Sequence, residues 1–192
     1  MPIPYHKKAY KQDHETGAFL ISVFLDTYED VFDDWDPTPF KKRDIEDEFL
    51  DFLWDSAEDI PLKEDLLIVF RIDEKLRDEK KEAQIVHALK NHFEYMLSKS
   101  KRAFRKEQNE SLLYFMLGIS FFLVAYLNLI ESTNLVGKIL EDGLFVGAWV
   151  FMWESFSNLF IESKNLIYEQ RLIKRFTHTP VAYKGIKKES ST

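Results

Sequence analysis

Apolar and polar positions alternate along this chain in blocks of very different length. The longest uninterrupted apolar block covers residues 111–130, SLLYFMLGISFFLVAYLNLI, twenty positions without a charge. Wound as a helix, twenty residues rise ~30 Å, the thickness of a bilayer's hydrocarbon core. A second block, residues 143–161 (GLFVGAWVFMWESFSNLFI), follows after twelve residues and contains one ionisable side chain, Glu154. The pair predicts a two-helix transmembrane hairpin. Two buried helices of a soluble core would fit less well, because twenty uncharged residues in succession is long for a core helix.

The blocks before the hairpin are shorter. FLISVFL, residues 19–25, and LLIVFRI, residues 66–72, are β-branched and aromatic runs that predict two buried strands. Between them, residues 41–60 place Ile45, Phe49, Phe52, Leu53, Ala57 and Ile60 at helical spacing, and Pro61 ends that helix. Two strands do not make a stable sheet. A third is expected either near Val181 to Tyr183 or from the edge of a partner chain. Residues 75–130 hold no proline and one glycine, Gly118, so a nearly continuous helix is expected to run from the head into the first span. A stripe from Phe93 to Phe104 on that helix is expected to need a partner.

The fold class expected is therefore α+β: a small cytoplasmic β-α-β-α head, residues 1–74, and a long connecting helix, residues 75–110. A transmembrane hairpin follows over residues 111–161, with spans 111–130 and 143–161. A helical extension and tail, residues 162–192, closes the chain.

Charge adds orientation. Residues 12–79 carry 22 acidic and 7 basic side chains, a net of −15, which leaves +8 on the rest of a chain whose total is −7. Phosphate would repel such a head, so nucleic acid is not an expected partner. Five Lys or Arg precede the first span (Lys99, Lys101, Arg102, Arg105, Lys106) and four follow the second (Lys164, Arg171, Lys174, Arg175). The connecting loop holds one, Lys138. Nine against one predicts both termini in the cytoplasm. The first eighteen residues contain no apolar signal-peptide core, so the span itself is expected to direct insertion. The chain has no cysteine, which excludes disulfides and thiolate metal sites.

Candidate chemistry is sparse. Glu154 inside a span is costly unless paired or wetted, and so is a functional candidate. It shares a helix face with Gly143, Gly147 and Asn158, while Tyr114, Gly118, Ala125 and Asn128 share one on the first span. Gly143-xxx-Gly147 is a close-packing motif. With Ile130 placed opposite Gly143, Gly118 would face Ser155 and Glu154. One reading has Glu154 holding the hairpin or an oligomer together, another has several copies pointing it into a path for cations or protons, and a third has it reaching the headgroups. Asp30, Asp33, Asp34 and Asp36 offer oxygen ligands for Ca²⁺ or Mg²⁺ but lack the EF-hand glycine and closing glutamate; such acids more often cap turns. The five histidines are scattered, and no nucleophile elbow, phosphate loop or dinucleotide fingerprint is present. No enzyme activity and no cofactor are expected.

Two passages carry a resemblance. One is Asp30-Val31-Phe32 followed by Asp36-Pro37-Thr38-Pro39-Phe40. The other is Gly143-Leu144-Phe145-Val146-Gly147-Ala148-Trp149-Val150 with Trp153, ahead of a charged helix and Pro180-Val181. Together they resemble a widespread group of uncharacterised prokaryotic membrane proteins built from a soluble head and a two-span hairpin. The resemblance implies residence in a prokaryotic cytoplasmic membrane and no activity. Members often carry Arg-Pro after the second tryptophan, where this chain has Glu154-Ser155. The expectation is a membrane-anchored interaction or scaffold protein, homo-oligomeric, with the bilayer and a cytoplasmic protein as partners. The alternative is a small oligomeric ion channel, or the membrane part of a sensor or effector.

Overall fold

The computed structural model describes residues 4–33, 44–127 and 135–186. It divides into two compact units, Met1–Leu97 with Arg171–Thr192, and Ser98–Gln170. In chain order the elements begin with a short helix α1 (Tyr5–Ala9), strand β1 (Phe19–Phe24), a 3₁₀ turn at Tyr28–Val31, helix α2 (Asp47–Glu58) and strand β2 (Leu66–Asp73). Helix α3 (Glu79–Tyr126), helix α4 (Leu135–Ser157), a π-turn at Asn158–Glu162, helix α5 (Ser163–His178) and strand β3 (Val181–Ile186) follow.

The first unit is built on a three-stranded parallel sheet in the order β1-β2-β3. Phe19 pairs with Leu66 and Phe24 with Arg71; Ile68 pairs with Val181 and Asp73 with Ile186. Parallel neighbours need a crossover connection. The 3₁₀ turn and α2 supply the first. The second is supplied by the start of α3 and the end of α5, with the whole second unit inserted between them.

Strand alternation puts Phe19 and Ile21 of β1 and Ile68, Phe70 and Ile72 of β2 into one core. Helices close over it with Phe49, Leu53 and Ala57 from α2, Ile85, Leu89 and Phe93 from α3, and Leu172, Ile173 and Phe176 from α5. Phe70 stacks on Tyr183 at 5.2 Å, and Phe93 lies flat on Phe176 at 4.7 Å. Each such side chain contributes about 1.5–3 kcal/mol on burial. At the start of β1 a tight turn is closed by Asp13, which accepts from the Thr16 amide at 3.0 Å and its hydroxyl at 2.9 Å. Gly17 sits there at φ 72°, where a side chain would be strained.

Three expectations change. The sheet's third strand comes from this chain's own β3, which runs on through Gly185 and Ile186, so the sheet asks for no partner strand. The start of the Phe93 stripe is covered: Phe93 is buried, and Met96 and Leu97 pack against the same core, while Phe104 is half-buried and lies outside that core. Helix α2 starts at Asp47, later than the periodicity suggested. Ile45 instead forms an antiparallel bridge with Phe32, backed by Glu46 N–H donating to the Val31 carbonyl at 3.1 Å.

One cation fastens the two crossovers together. Arg175 of α5 donates from Nη1 to the carbonyls of Ala57 (3.2 Å) and Ile60 (3.0 Å), and from Nη2 to those of Pro61 (3.1 Å) and Glu64. These are carbonyls at and just beyond the end of α2, where a helix leaves its acceptors unmet and favours positive charge. Arg175→Ala is expected to destabilise the first unit by about 2–4 kcal/mol, since hydrogen bonds to a charged donor contribute more than neutral ones. Arg175→Lys should recover less than half of that, because an ammonium cannot span four acceptors. Thermal unfolding by circular dichroism measures both.

Candidate functional site

The second unit is an antiparallel helix pair with small residues inside. On α3 the buried positions are Ser100, Ser111, Gly118 and Ala125, the last three spaced by seven; on α4 they are Gly137, Ala148 and Ser155. A repeat of seven is the seam of a supercoiled helix pair. The Ser111 hydroxyl donates to the Ser155 carbonyl at 2.9 Å and lies 3.2 Å from the Ser155 hydroxyl. A Cβ at Gly118 would stand 2.9 Å from Cγ of Met152 and 3.2 Å from the Ala148 carbonyl oxygen. Glycine is required there because the neighbouring backbone is already in contact.

Aromatic rings flank this seam. Tyr114 stacks on Phe151 at 6.2 Å, Phe121 meets Phe151 edge-on at 5.3 Å, and Phe122 meets Phe145 at 5.2 Å. Farther along, the π-turn sets half-buried Asn158 and buried Ser163 five positions apart in place of the usual three or four. The Ser163 hydroxyl donates to the Asn158 carbonyl at 3.1 Å and accepts from Gln108 Nε2 at 2.8 Å. The extra residue re-phases the helix, so that Ser163, Leu166 and Gln170 continue the seam. Gln170 then donates to the Ser100 carbonyl at 3.3 Å.

The pairing differs from the one expected. Ser111, not Gly118, stands opposite Ser155, a shift of seven residues, or ~10 Å along the helix. The cause is that α4 begins at Leu135, so residues 135–142 are helical rather than loop. Glu154 consequently does not meet Gly118 or Tyr114. It is exposed on the outer face of α4, near the level of Leu112 and about a turn from Glu110, the last charge on α3. Gly143 is exposed with nothing within 4 Å, so it packs nothing, whereas Gly147 lies against Phe121. Asn158 belongs to the π-turn, and Asn128 lies outside the described residues.

The serines of the seam were missed by sequence reasoning. Their signal was the seven-residue spacing of Ser111, Gly118 and Ala125. No ion pair joins Arg102 or Arg105 to Glu162 or Glu169 among the described residues; Lys106 pairs instead with Glu110 at 3.6 Å.

The aspartate group resolves into turn chemistry. Asp30 accepts from the amides of Asp26 (2.7 Å) and Thr27 (3.0 Å) and from the Thr27 hydroxyl (2.9 Å), which caps the 3₁₀ turn. Asp33 joins the bridge to Asp44 through its backbone. Asp34 and Asp36 lie outside the described residues. Among the described residues no three metal-ligating side chains converge.

A polar network does occupy the first unit where β1 and β2 end and α3 begins, the edge at which parallel sheets place ligands. Glu82 accepts from Arg77 Nε at 2.9 Å and Nη2 at 3.1 Å, and from the Tyr28 hydroxyl at 3.1 Å. The Tyr28 hydroxyl in turn accepts from the Asp78 amide at 2.9 Å. Lys81 pairs with Glu29 at 3.1 Å and lies over the Tyr28 ring. The Arg77 hydrogen bonds hold the Glu82 carboxyl below its ordinary range, and burial raises the Tyr183 phenol beside it. Every member is satisfied by another, which describes a rivet more than a reaction centre.

No protein-family model, curated protein or solved structure matches the chain.

Two outcomes check this geometry. In this cysteine-free chain, Ser111→Cys with Ser155→Cys is expected to form a disulfide on mild oxidation, while Gly118→Cys with Ser155→Cys does not; the reverse result on a gel would restore the expected register. Because its folded pKa is depressed, Glu82 contributes stability that is complete above the ordinary carboxylate value of about 4.3 and is lost as pH falls further. Below about pH 4 the wild type should therefore lose melting temperature faster than Glu82→Gln, which starts lower at neutral pH.

Proposed function

We propose that this protein is a membrane-anchored interaction module, with the helix pair of the second unit in the bilayer and the α/β unit on the cytoplasmic side. One observation carries the reading: the helix pair is inside-out. Its seam is lined by serine, glycine and alanine, while twenty large apolar side chains among the described residues between 112 and 161 are exposed, with Leu113 57% and Trp153 68% accessible. In water each would forfeit about 1.5–3 kcal/mol. Their sum exceeds the whole net stability of an ordinary domain, about 5–15 kcal/mol. Lipid removes that penalty, and small residues with serine hydrogen bonds are how helices pair within it.

Among the described helices, α3 is the one long and apolar enough to cross a membrane by length and composition, and 17% of that window is buried. The second crossing is the finer part of the proposal. Helix α4 carries Lys138, Glu141 and Asp142 at one end and Glu154 near the other, which leaves fewer than eighteen uncharged residues in a row. Its pairing with α3 along the seam is what supports a second pass. The excess of Lys and Arg flanking the pair supports cytoplasmic ends.

Glu154 reads best as an interfacial carboxylate. Its level, a turn from Glu110, lets its head reach water while its stem stays among apolar residues. A channel with Glu154 in its lumen is the competing reading. The third strand and the cover over Phe93 come from the chain itself, so neither supports a homo-oligomer. What remains for interaction is the outer face of α2, where Asp47, Glu48, Asp51, Asp55, Glu58 and Asp59 are exposed without a cation among them. That face suits a basic partner.

Membrane residence is tested by alkaline carbonate extraction of cells expressing the chain. The protein should stay in the pellet and require detergent for release; a monodisperse protein in plain buffer would overturn the reading. With Glu154→Gln, extraction should be unchanged, and liposomes carrying either form should show no cation flux above empty ones. Flux that the substitution abolishes would instead establish the channel.

A further inference from the structure

Along the outer side of β1 lies a groove of about 480 Å³, within the range of small-ligand sites. Its apolar lining is Leu20, Ile21, Phe24 and Phe52, and its hydroxyls come from Tyr10, Ser22 and Ser56. The two charged side chains in the lining are Lys11 and Arg71, both basic, beside or within residues 12–79, which carry a net of −15.

Arg71 is the unusual member. Its neighbour across the strand pair is Phe24, and its guanidinium lies over that ring at 5.4 Å. Its Nε is sealed from solvent and has no hydrogen-bond partner among the described residues. Three polar contacts of the first unit leave it out: Glu82 is taken by Arg77, Glu29 by Lys81, and Asp59 accepts from Tyr10 at 3.0 Å. A buried donor left without an acceptor costs about 1–3 kcal/mol, so it marks a place where an acceptor belongs. Guanidinium matches one acceptor above others, the planar carboxylate, which it grips through two parallel hydrogen bonds.

We propose that this groove is a binding site for a small carboxylate with an apolar body. The carboxylate pairs with Arg71, with Lys11 adding charge at the mouth. The body lies against Phe24, Phe52 and Leu20. Tyr10, Ser22 and Ser56 supply secondary donors and acceptors. This site is independent of the bilayer reading, because all of its residues belong to the first unit.

The test uses the full chain in lipid nanodiscs, with empty nanodiscs as the blank, and three water-soluble probes of one shape: 3-phenylpropionate, 3-phenylpropanol and 3-phenylpropylamine. Ligand-observed saturation-transfer NMR reads binding. The carboxylate should bind about tenfold more tightly than the alcohol, the margin of a charge-assisted pair, and the amine should not bind. Arg71→Gln should bring the carboxylate down to the alcohol's level. Ser22→Trp, which fills the groove and leaves Arg71 in place, should abolish both, and unchanged circular dichroism of each variant confirms folding. Equal binding of acid and alcohol to the wild type, no saturable binding of the acid, or binding that survives both substitutions would overturn the proposal.

Discussion

Two helices can approach until their backbones touch only if nothing larger than a methyl or hydroxymethyl group stands between them. Along Ser111, Gly118 and Ala125 on one side and Ala148 and Ser155 on the other, this chain meets that condition. The rest of the second unit follows. Bulky side chains are excluded from the seam, so leucine, phenylalanine and tryptophan must point outward. An outward shell of that kind is what the proposed bilayer setting would accommodate. The π-turn is part of the same constraint, since without its extra residue the seam of α4 would rotate away from Ser163 and Gln170.

The first unit is packed the other way, with its large apolar side chains inside. Its sheet buries one face beneath α2, α3 and α5, and several of the polar atoms that folding strands inside are met by a distant partner. Arg175 answers the carbonyls at the end of α2. Arg77 answers Glu82, and Glu82 answers Tyr28. Both of these fastenings join residues far apart in sequence, so they lock the crossovers and not merely local turns. Arg71 stands apart from this pattern of satisfied pairs, which is why its groove draws attention.

Much of this was legible in the residues. FLISVFL and LLIVFRI became parallel strands nearly to the residue, and the uninterrupted helix after Lys75 is α3. Val181 to Tyr183 was visible as one source of the third strand. Depth and facing were not legible. Periodicity gives the face of a helix but not the level at which two helices meet, and that level is marked by the Ser111 hydroxyl donating to the Ser155 carbonyl. The start of α4 eight residues before the apolar block moved Glu154 out of the supposed notch with Gly118. The Phe93 stripe looked unfilled because its cover, Phe176, lies 83 positions later in the chain, beyond the reach of any local pattern.

The order of elements has a consequence for biogenesis. Strand β3 and Arg175 follow the inserted helix pair, so a ribosome releases them after it. Until then β2 presents a naked parallel edge, and the end of α2 lacks its cation. A nascent chain therefore carries the helix pair complete while its sheet is still two-stranded. Loss of β3 would leave an unfinished, adhesive edge on β2.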